Sequence, residues 1–440
     1  MNRRPNMAHD KTASAKQPVW DRIRNFDEVD LGYTEEQAIR EAERCLNCPD
    51  RWCSQHCPAH NYIPEFIAKV RERDFESAWE LLALTNPLME VSGRVCPFEQ
   101  QCESHCTRGI KCEPVAIGKL ERFVADWHRK NPGERAALIE PNGKRVAVVG
   151  AGPAGLTCAL SLTNAGFDVT VYEKSETLGG VPVWGIPGFV LPEGMMGRLF
   201  DQLRMLGAKL VLNTELGRDI TMEQLRAEND AVFIATGAER PVELDVPGSE
   251  AAVQAKDYLK DRTMTTTGRV LVFGGGNTAI DAARTAIRRG AASVTIVYRR
   301  TKEEMPATAD EIAIAKEEGV TFAELLNPVR FAEDNGQITV LCEEMELAAP
   351  DYPGGRKNVA PSGKQKQLAC ETAILALGFE NAPVEGLQTD ARGRIVIGKD
   401  FSASLDGVYA GGDAVTGAAT LMKAAAAGKD AAAAIFNRLA

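Results

Sequence analysis

The 440-residue sequence has no uninterrupted apolar run approaching the length of a bilayer crossing. Its first twenty residues carry a little positive charge but no apolar stretch of the kind a secretory leader needs. A cytoplasmic chain is therefore expected, with no membrane partner. Basic residues are in deficit. The 51 Lys and Arg against 61 Asp and Glu leave a net charge of −10, which argues against general nucleic-acid binding. Cysteine is scarce over most of the chain, since only Cys158, Cys342 and Cys370 lie outside residues 45–112. Those three are isolated and read as packing residues. Low-complexity sequence is missing too, although residues 1–20 are polar and are expected to form a disordered tail. The length predicts two to four domains, each able to bury a core.

What is there is concentrated. Eight of eleven cysteines fall in the runs Cys45-x2-Cys48-x4-Cys53-x3-Cys57 and Cys96-x5-Cys102-x3-Cys106, with Cys112 trailing. Thiols that share a metal must converge, whereas core cysteines scatter, and disulfides are rare in a reducing compartment. The first run ends in Cys57-Pro58. That spacing resembles cluster-binding ferredoxins more than the separated Cys-x-x-Cys pairs of a zinc ribbon, which leaves zinc as the alternative metal. By spacing alone, eight cysteines would supply four ligands to each of two [4Fe–4S] clusters. His56 and His105 adjoin cysteines and read as supporting or solvent-facing groups. Residues 33–130 are otherwise helix-friendly, with a capping box predicted at Thr34–Gln37. Residues 131–144 read as a linker.

Beyond the linker the order strand, glycine turn, helix, strand occurs twice, with the turns 124 residues apart. The first turn comprises Gly150, Ala151, Gly152, Pro153, Ala154 and Gly155, and Glu173 closes the next strand where a ribose-binding carboxylate is expected. Glycine is needed there for the tight turn, for backbone approach to a pyrophosphate and for helix–strand packing. The helix N-terminus then faces the phosphates. Near the C-terminus Asp413 follows Gly411 and Gly412 and precedes a helix, which suits contact with a flavin ribitol, so FAD is expected. A plain helix cap is the other reading of Asp413. The second turn, Gly274, Gly275, Gly276, Asn277, Thr278, leads to a strand ending in Arg299 and Arg300. An NAD site would place a carboxylate there, whereas guanidiniums suit a 2′-phosphate, so NADPH is expected. No Cys-x-x-Cys lies between these motifs. A redox disulfide is therefore not the electron exit, and the cysteine-rich region is the available one.

Taken in order, CLNCPDRWCSQHCPAHNYIPEF, GRVCPFEQQCESHC, EPVAIGKLERFVADW, VVGAGPAGL, GIPGF, FIATG, VFGGGNTAIDAARTA, VYRRTKEEMPA and VYAGGDAVTGAATLMKA resemble the small (β) subunits of NADPH-dependent glutamate synthase. The same architecture is similar to the N-terminal half of dihydropyrimidine dehydrogenase. It is also similar to the large subunit of the NADH-dependent ferredoxin:NADP oxidoreductase. The resemblance implies an α/β fold in which two Rossmann-like dinucleotide-binding domains, one inserted in the other, follow an α-helical iron–sulfur domain. The implied bounds are 1–143 for the iron–sulfur domain, 144–250 with 381–440 for FAD, and 251–380 for NADPH. It implies Cys45, Cys48, Cys53 and Cys106 on one cluster, and Cys57, Cys96, Cys102 and Glu121 on the other, displacing Cys112 from the spacing-only count. To the FAD set it adds Lys174, Gly180, Gly185, Ile186, Pro187, Thr236 and Gly237, and to the NADPH set Asp281.

The implied activity is NADPH oxidation, with electrons passing through FAD and the clusters to a partner subunit in a hetero-oligomer. No side chain is expected to serve as acid or base, because hydride passes directly between the two cofactors. The expected partner is the glutamate synthase large subunit, since an amidotransferase and an FMN-bearing barrel have no room in this chain. A ferredoxin-linked bifurcating enzyme, a pyrimidine-reducing partner or a non-enzymatic cluster scaffold are the other readings.

Overall fold

The computed structural model describes residues 5–133, 139–350 and 357–440, so the linker expected at 131–144 lies partly outside the described residues. The cysteine-rich region is helical: α1 (Glu35–Ala42), α2 (Ile63–Arg71), α3 (Phe75–Ala83), α4 (Met89–Val95) and α5 (Ile117–Lys130). The predicted capping box is present, with Thr34 and Gln37 satisfying each other's backbone N–H at the start of α1. Asp74 caps α3 by accepting the Ser77 N–H. Phe75 packs edge-on against Phe123 at 5.1 Å and Trp127 at 5.5 Å, joining α3 to α5.

Three parallel strands and a helix repeat the predicted first unit: β1 (Arg145–Val149), α6 (Pro153–Asn164), β2 (Asp168–Tyr172) and β3 (Lys209–Val211). β4 (Ala231–Ile234) pairs with β1, and the chain then leaves for a second unit. There β5 (Val253–Gln254), β6 (Arg269–Phe273), α7 (Asn277–Arg288), β7 (Ser293–Tyr298), α8 (Ala309–Glu317) and β8 (Thr321–Glu324) follow one another. An antiparallel meander comes next, β9 (Leu326–Asp334), β10 (Gln337–Ala348) and β11 (Asn358–Cys370), before β12 (Thr372–Leu375). The chain returns as β13 (Val408–Ala410) and ends in α9 (Leu421–Leu439). The first sheet has the order β13-β4-β1-β2-β3 and the second β5-β12-β6-β7-β8. Because β13 pairs with β4 across 173 intervening residues, the second unit is an insertion in the first. A two-stranded ribbon, Arg240–Pro241 against Phe379–Glu380, carries the chain across in both directions.

Two differences from the sequence expectations have physical causes. Residues 5–20 are packed, not disordered. The Lys11 and Thr12 N–H groups donate to the carboxylates of Glu113 (2.6 Å) and Glu41 (2.7 Å), and Arg44 holds the Ala8 and His9 carbonyls. A polar segment is ordered here by polar partners. The C-terminal helix does not follow Asp413 directly either. Asp413–Thr416 makes one turn, Gly417 breaks it at φ +76°, and Thr420 caps α9 through the Lys423 N–H.

The core of the helical region is continuous with that of the first dinucleotide unit, from Phe66 and Leu120 through Val148 and Leu156 to Ile435. α9 lies on α6 at Gly428, where an added Cβ would sit 2.0 Å from the Ala154 carbonyl oxygen. Alanine is the better helix former by about 1 kcal/mol. Gly428→Ala is nevertheless expected to lower stability by about 2 kcal/mol through overpacking, measured by denaturant unfolding.

Candidate functional site: a two-nucleotide cleft flanked by thiol cages

A cleft of about 1450 Å³ runs between the two dinucleotide units. The first unit contributes Gly150, Gly152, Pro153, Ala154, Glu173, Lys174, Gly180, Gly185, Ile186, Thr236, Gly237 and Asp413 to its border. Gly150, at φ +100°, leaves only 2.3 Å between an added Cβ and the Ala235 carbonyl, and Gly155 only 1.9 Å to the Gly150 carbonyl. At Gly152 an added Cβ would meet nothing within 4 Å, so this backbone faces open cleft as a pyrophosphate site requires. Glu173 accepts the Ala151 and Ser175 N–H groups at 2.8 and 2.9 Å, which fixes its carboxylate at the cleft edge. Lys174 is paired with Glu239 at 2.7 Å. Ala151, Gly155, Gly412 and Pro187 back the cleft without bordering it. Sequence reasoning missed Asn381, whose buried amide donates to the Gly237 (3.0 Å) and Asp413 (2.7 Å) carbonyls and ties the returning chain to both. A lone asparagine carries no motif.

Asp413 Oδ1 is buried without a hydrogen-bond partner. Burial pushes its carboxyl from the ordinary 3.8 up to about 6. An orphaned acceptor facing the cleft fits a ligand that brings a hydroxyl, as the ribitol of FAD does. The raised group binds its proton more tightly folded than unfolded, so its burial costs stability as pH rises through the window from about 4 to about 6. Asp413→Asn is therefore expected to stabilise the flavin-free protein by about 2 kcal/mol near pH 7.5 and by little near pH 4, while weakening FAD retention. Unfolding at the two pH values and flavin content measure both effects.

The inserted unit contributes Gly276, Asn277, Thr278 and Asp281 to the opposite wall. Gly274, at φ +147°, lets backbone pass the Ala376 carbonyl, and Gly275 accommodates the Tyr298 ring. Asp281 borders the cleft beside Glu311, and burial followed by Glu311 raises its carboxyl well above the ordinary range. Arg299 and Arg300 stand at the end of β7, outside the cleft border. Arg299 is exposed, whereas Arg300 Nε donates to the Lys357 carbonyl at 2.7 Å.

The helical region meets the same cleft through Arg94, Val95, Cys96, Pro97 and Gln100. Gln101 reaches on to Thr420, the cap of α9, at 3.1 Å. The cysteines fall into two groups. Cys45, Cys48, Cys53 and Cys106 line one small pocket, closed by Ile63, Ile67, Val115 and Ile117. Asn47, Arg51 and His60, all at positive φ, turn the chain tightly through this region. In the second group Cys57, Cys96, Cys102 and Glu121 are electrostatic neighbours of one another. Burial pushes the Cys45 thiol up to about 11 and Cys53 to about 12, and raises Cys96 and Cys102 well above the ordinary thiol range, so metal binding must displace their protons. Glu121 is 4 % exposed; burial raises it to about 7 against the donors Ser92, Asn61 and Asn86. Cys112 belongs to neither group, and its N–H bonds the Arg108 carbonyl. Among the described residues no three His, Cys, Asp or Glu side chains converge as ligands of a single ion would. A tetrahedral zinc would need its sulfurs about 3.8 Å apart. Two groups of four donor side chains would suit polynuclear clusters, whose irons each take one ligand.

The fold and this donor set define a two-dinucleotide flavoprotein oxidoreductase with an attached iron–sulfur domain. Residues 22–132 match the family profile described as dihydropyrimidine dehydrogenase domain II, 4Fe-4S cluster, and residues 144–431 match pyridine nucleotide-disulphide oxidoreductase. The glutamate synthase [NADPH] small chain of Escherichia coli is 35% identical, over 96% of both chains. The β subunit of the NADP(+)-dependent formate dehydrogenase of Moorella thermoacetica is 36% identical over 88% of this chain and 60% of its own length. Mycobacterium tuberculosis FprA, solved in complex with NADPH, shares the fold at a TM-score of 0.59 and 18% identity, over 68% of this chain and 85% of that one. The chain belongs to the glutamate synthase [NADPH] small-chain family, and is an NADPH-dependent oxidoreductase using FAD and iron–sulfur. Several of its relatives are named as small chains or β subunits, which points to work with a partner subunit. No described helix is long and apolar enough to cross a membrane.

Proposed function

We propose that this chain is the electron-input subunit of a cytoplasmic glutamate synthase, delivering electrons from NADPH to a large, FMN-bearing partner. Bound FAD would supply the conversion of a two-electron hydride donor, NADPH, into single electrons suited to [4Fe–4S] clusters. The chain's own residues bind, align and exclude water. Gly150, Gly152 and the N-terminus of α6 hold the FAD pyrophosphate, Glu173 the adenosine ribose and Asp413 the ribitol. Gly276, Asn277 and Thr278 hold the pyrophosphate of NADPH, with Arg299 on its 2′-phosphate. Cys57, Cys96, Cys102 and Glu121 hold the cluster beside the flavin. Cys45, Cys48, Cys53 and Cys106 hold the outer one, where the exposed Trp52 and Leu46 flank the exit.

One observation carries this order. The cleft bordered by both dinucleotide turns is also bordered by Cys96 and, among the described residues, by no cysteine of the outer group. Anaerobic mixing of the reconstituted chain with NADPH is the test. Loss of flavin absorbance with reduction of an artificial acceptor is expected, and an unbleached flavin contradicts the proposal.

A further inference from the structure

Arg22 is 2 % exposed although it lies only two residues beyond the polar N-terminal segment. Its Nε donates to Glu318 at 3.0 Å and its Nη2 to Glu317 at 2.7 Å, at the C-terminal end of α8. Glu318 is itself buried and is shared with two further guanidiniums. Arg284 reaches it at 3.0 Å and Arg288 at 2.7 Å, both from α7. Arg284 also pairs with Glu311. Three buried arginines thus face the buried Glu318 together with Glu311 and the half-exposed Glu317, so each guanidinium has a carboxylate partner.

The same spot joins a third part of the chain. Phe189, 1 % exposed, closes the GIPGF loop whose Gly185 and Ile186 border the cleft. Its ring lies under Arg288 at 4.0 Å and Arg284 at 4.5 Å. Phe26 packs on it at 6.0 Å, and the Val29 N–H donates to its carbonyl at 3.0 Å. Arg288 Nε donates to the Asn25 carbonyl at 3.0 Å, and Val29, Phe189 and Ile314 form a small apolar core of their own. Residues 22–29 therefore bridge the flavin-side loop and the two helices of the inserted unit. α7 begins at the second glycine turn, so its orientation decides where a nicotinamide ring can stand.

We infer that Arg22–Val29 is an inter-domain strap, and that Arg22 is a positioning residue that holds the NADPH unit at the angle needed for hydride delivery to the flavin. This rests on the NADPH-to-FAD reading above. Besides the two-stranded ribbon, the two units meet through side chains at least partly open to solvent, Arg262 with Glu193 and Lys256 with Glu239, which constrain an angle less than the buried Arg22 cluster does, and a misplacement of about 1 Å costs about a hundredfold in rate. Arg22 acts through Glu318, and touches neither nucleotide turn. Removing it leaves Glu318 two arginine partners inside its own unit, so no naked buried charge results.

The test compares wild type with Arg22→Gln and Arg22→Lys as FAD- and iron-loaded protein, by rapid anaerobic mixing with saturating NADPH. In Arg22→Gln the limiting rate of flavin reduction is expected to fall about tenfold or more, with NADP+ affinity changed by less than about twofold. Amide exchange across residues 185–191 is expected to rise in the same variant. Arg22→Lys should recover part of the rate, since lysine keeps the charge but not the paired donors. Phe26→Ala, which loosens the strap without touching charge, should show the same split between rate and affinity. A limiting rate in Arg22→Gln and Phe26→Ala equal to wild type overturns the strap, as does a parallel loss of NADP+ affinity. Failure of wild-type flavin to bleach would instead sink the underlying electron-input reading.

Discussion

Arg299→Ala is expected to lower kcat/KM for NADPH about a hundredfold while leaving the NADH reaction nearly unchanged, measured as steady-state acceptor reduction with each nucleotide. A charge-assisted hydrogen bond to a phosphate contributes about 1.5–3 kcal/mol, and that range converts to about 10- to 150-fold. The loss should appear in KM, because the 2′-phosphate is remote from the reacting carbon and is held equally in ground and transition states. Arg300→Ala should cost much less. Its Nε is committed to the Lys357 carbonyl, whereas Arg299 is exposed at the strand end and free to meet a phosphate. Equal losses from the two substitutions would mean that both guanidiniums grip the nucleotide.

The second large effect concerns iron. Glu121→Ala is expected to reduce the metal content of anaerobically purified protein from about eight iron atoms per chain to about four, whereas Cys112→Ala keeps all of them. Glu121 is buried among the donors Ser92, Asn61 and Asn86, which aim its carboxylate, and it neighbours Cys57, Cys96 and Cys102 electrostatically. Glu121→Gln retains an oxygen donor in the same cradle and should keep most of the iron. Iron and acid-labile sulfide analysis separates the three variants, and a loss confined to Cys112→Ala would reverse the ligand assignment.

The parts of this molecule that were legible in sequence are those where backbone contacts leave no alternative. At Gly150, Gly155 and Gly274 an added Cβ would strike a carbonyl oxygen, so glycine marks each turn. Thr34 and Gln37 were equally readable, because a capping box is local. The antiparallel meander β9–β11 is absent from the sequence expectations, although its signal is present. Asn335 and Gly336, at φ +49° and +78°, supply the two left-handed residues of a tight hairpin between alternating strands. The ordered segment 5–20 could not be read locally. Its partners Glu41 and Glu113 are 29 and 102 residues away from the groups they accept, and only the tertiary fold brings them together. The same is true of Asn381 and of the cleft border supplied by Pro383–Gly386, which carry no spacing signature. Thiol spacing alone favoured eight cysteines as ligands. The fold instead brings a carboxylate from α5 beside three of them.

The central claim is that electrons leave the flavin through the cysteine group that borders its cleft. It is tested most directly in Cys96→Ala, mixed anaerobically with NADPH in the presence of a glutamate synthase large chain. Flavin bleaching should persist near the wild-type rate while electron delivery to the partner falls to background. Delivery at the wild-type rate from a chain that lacks Cys96 would contradict the account.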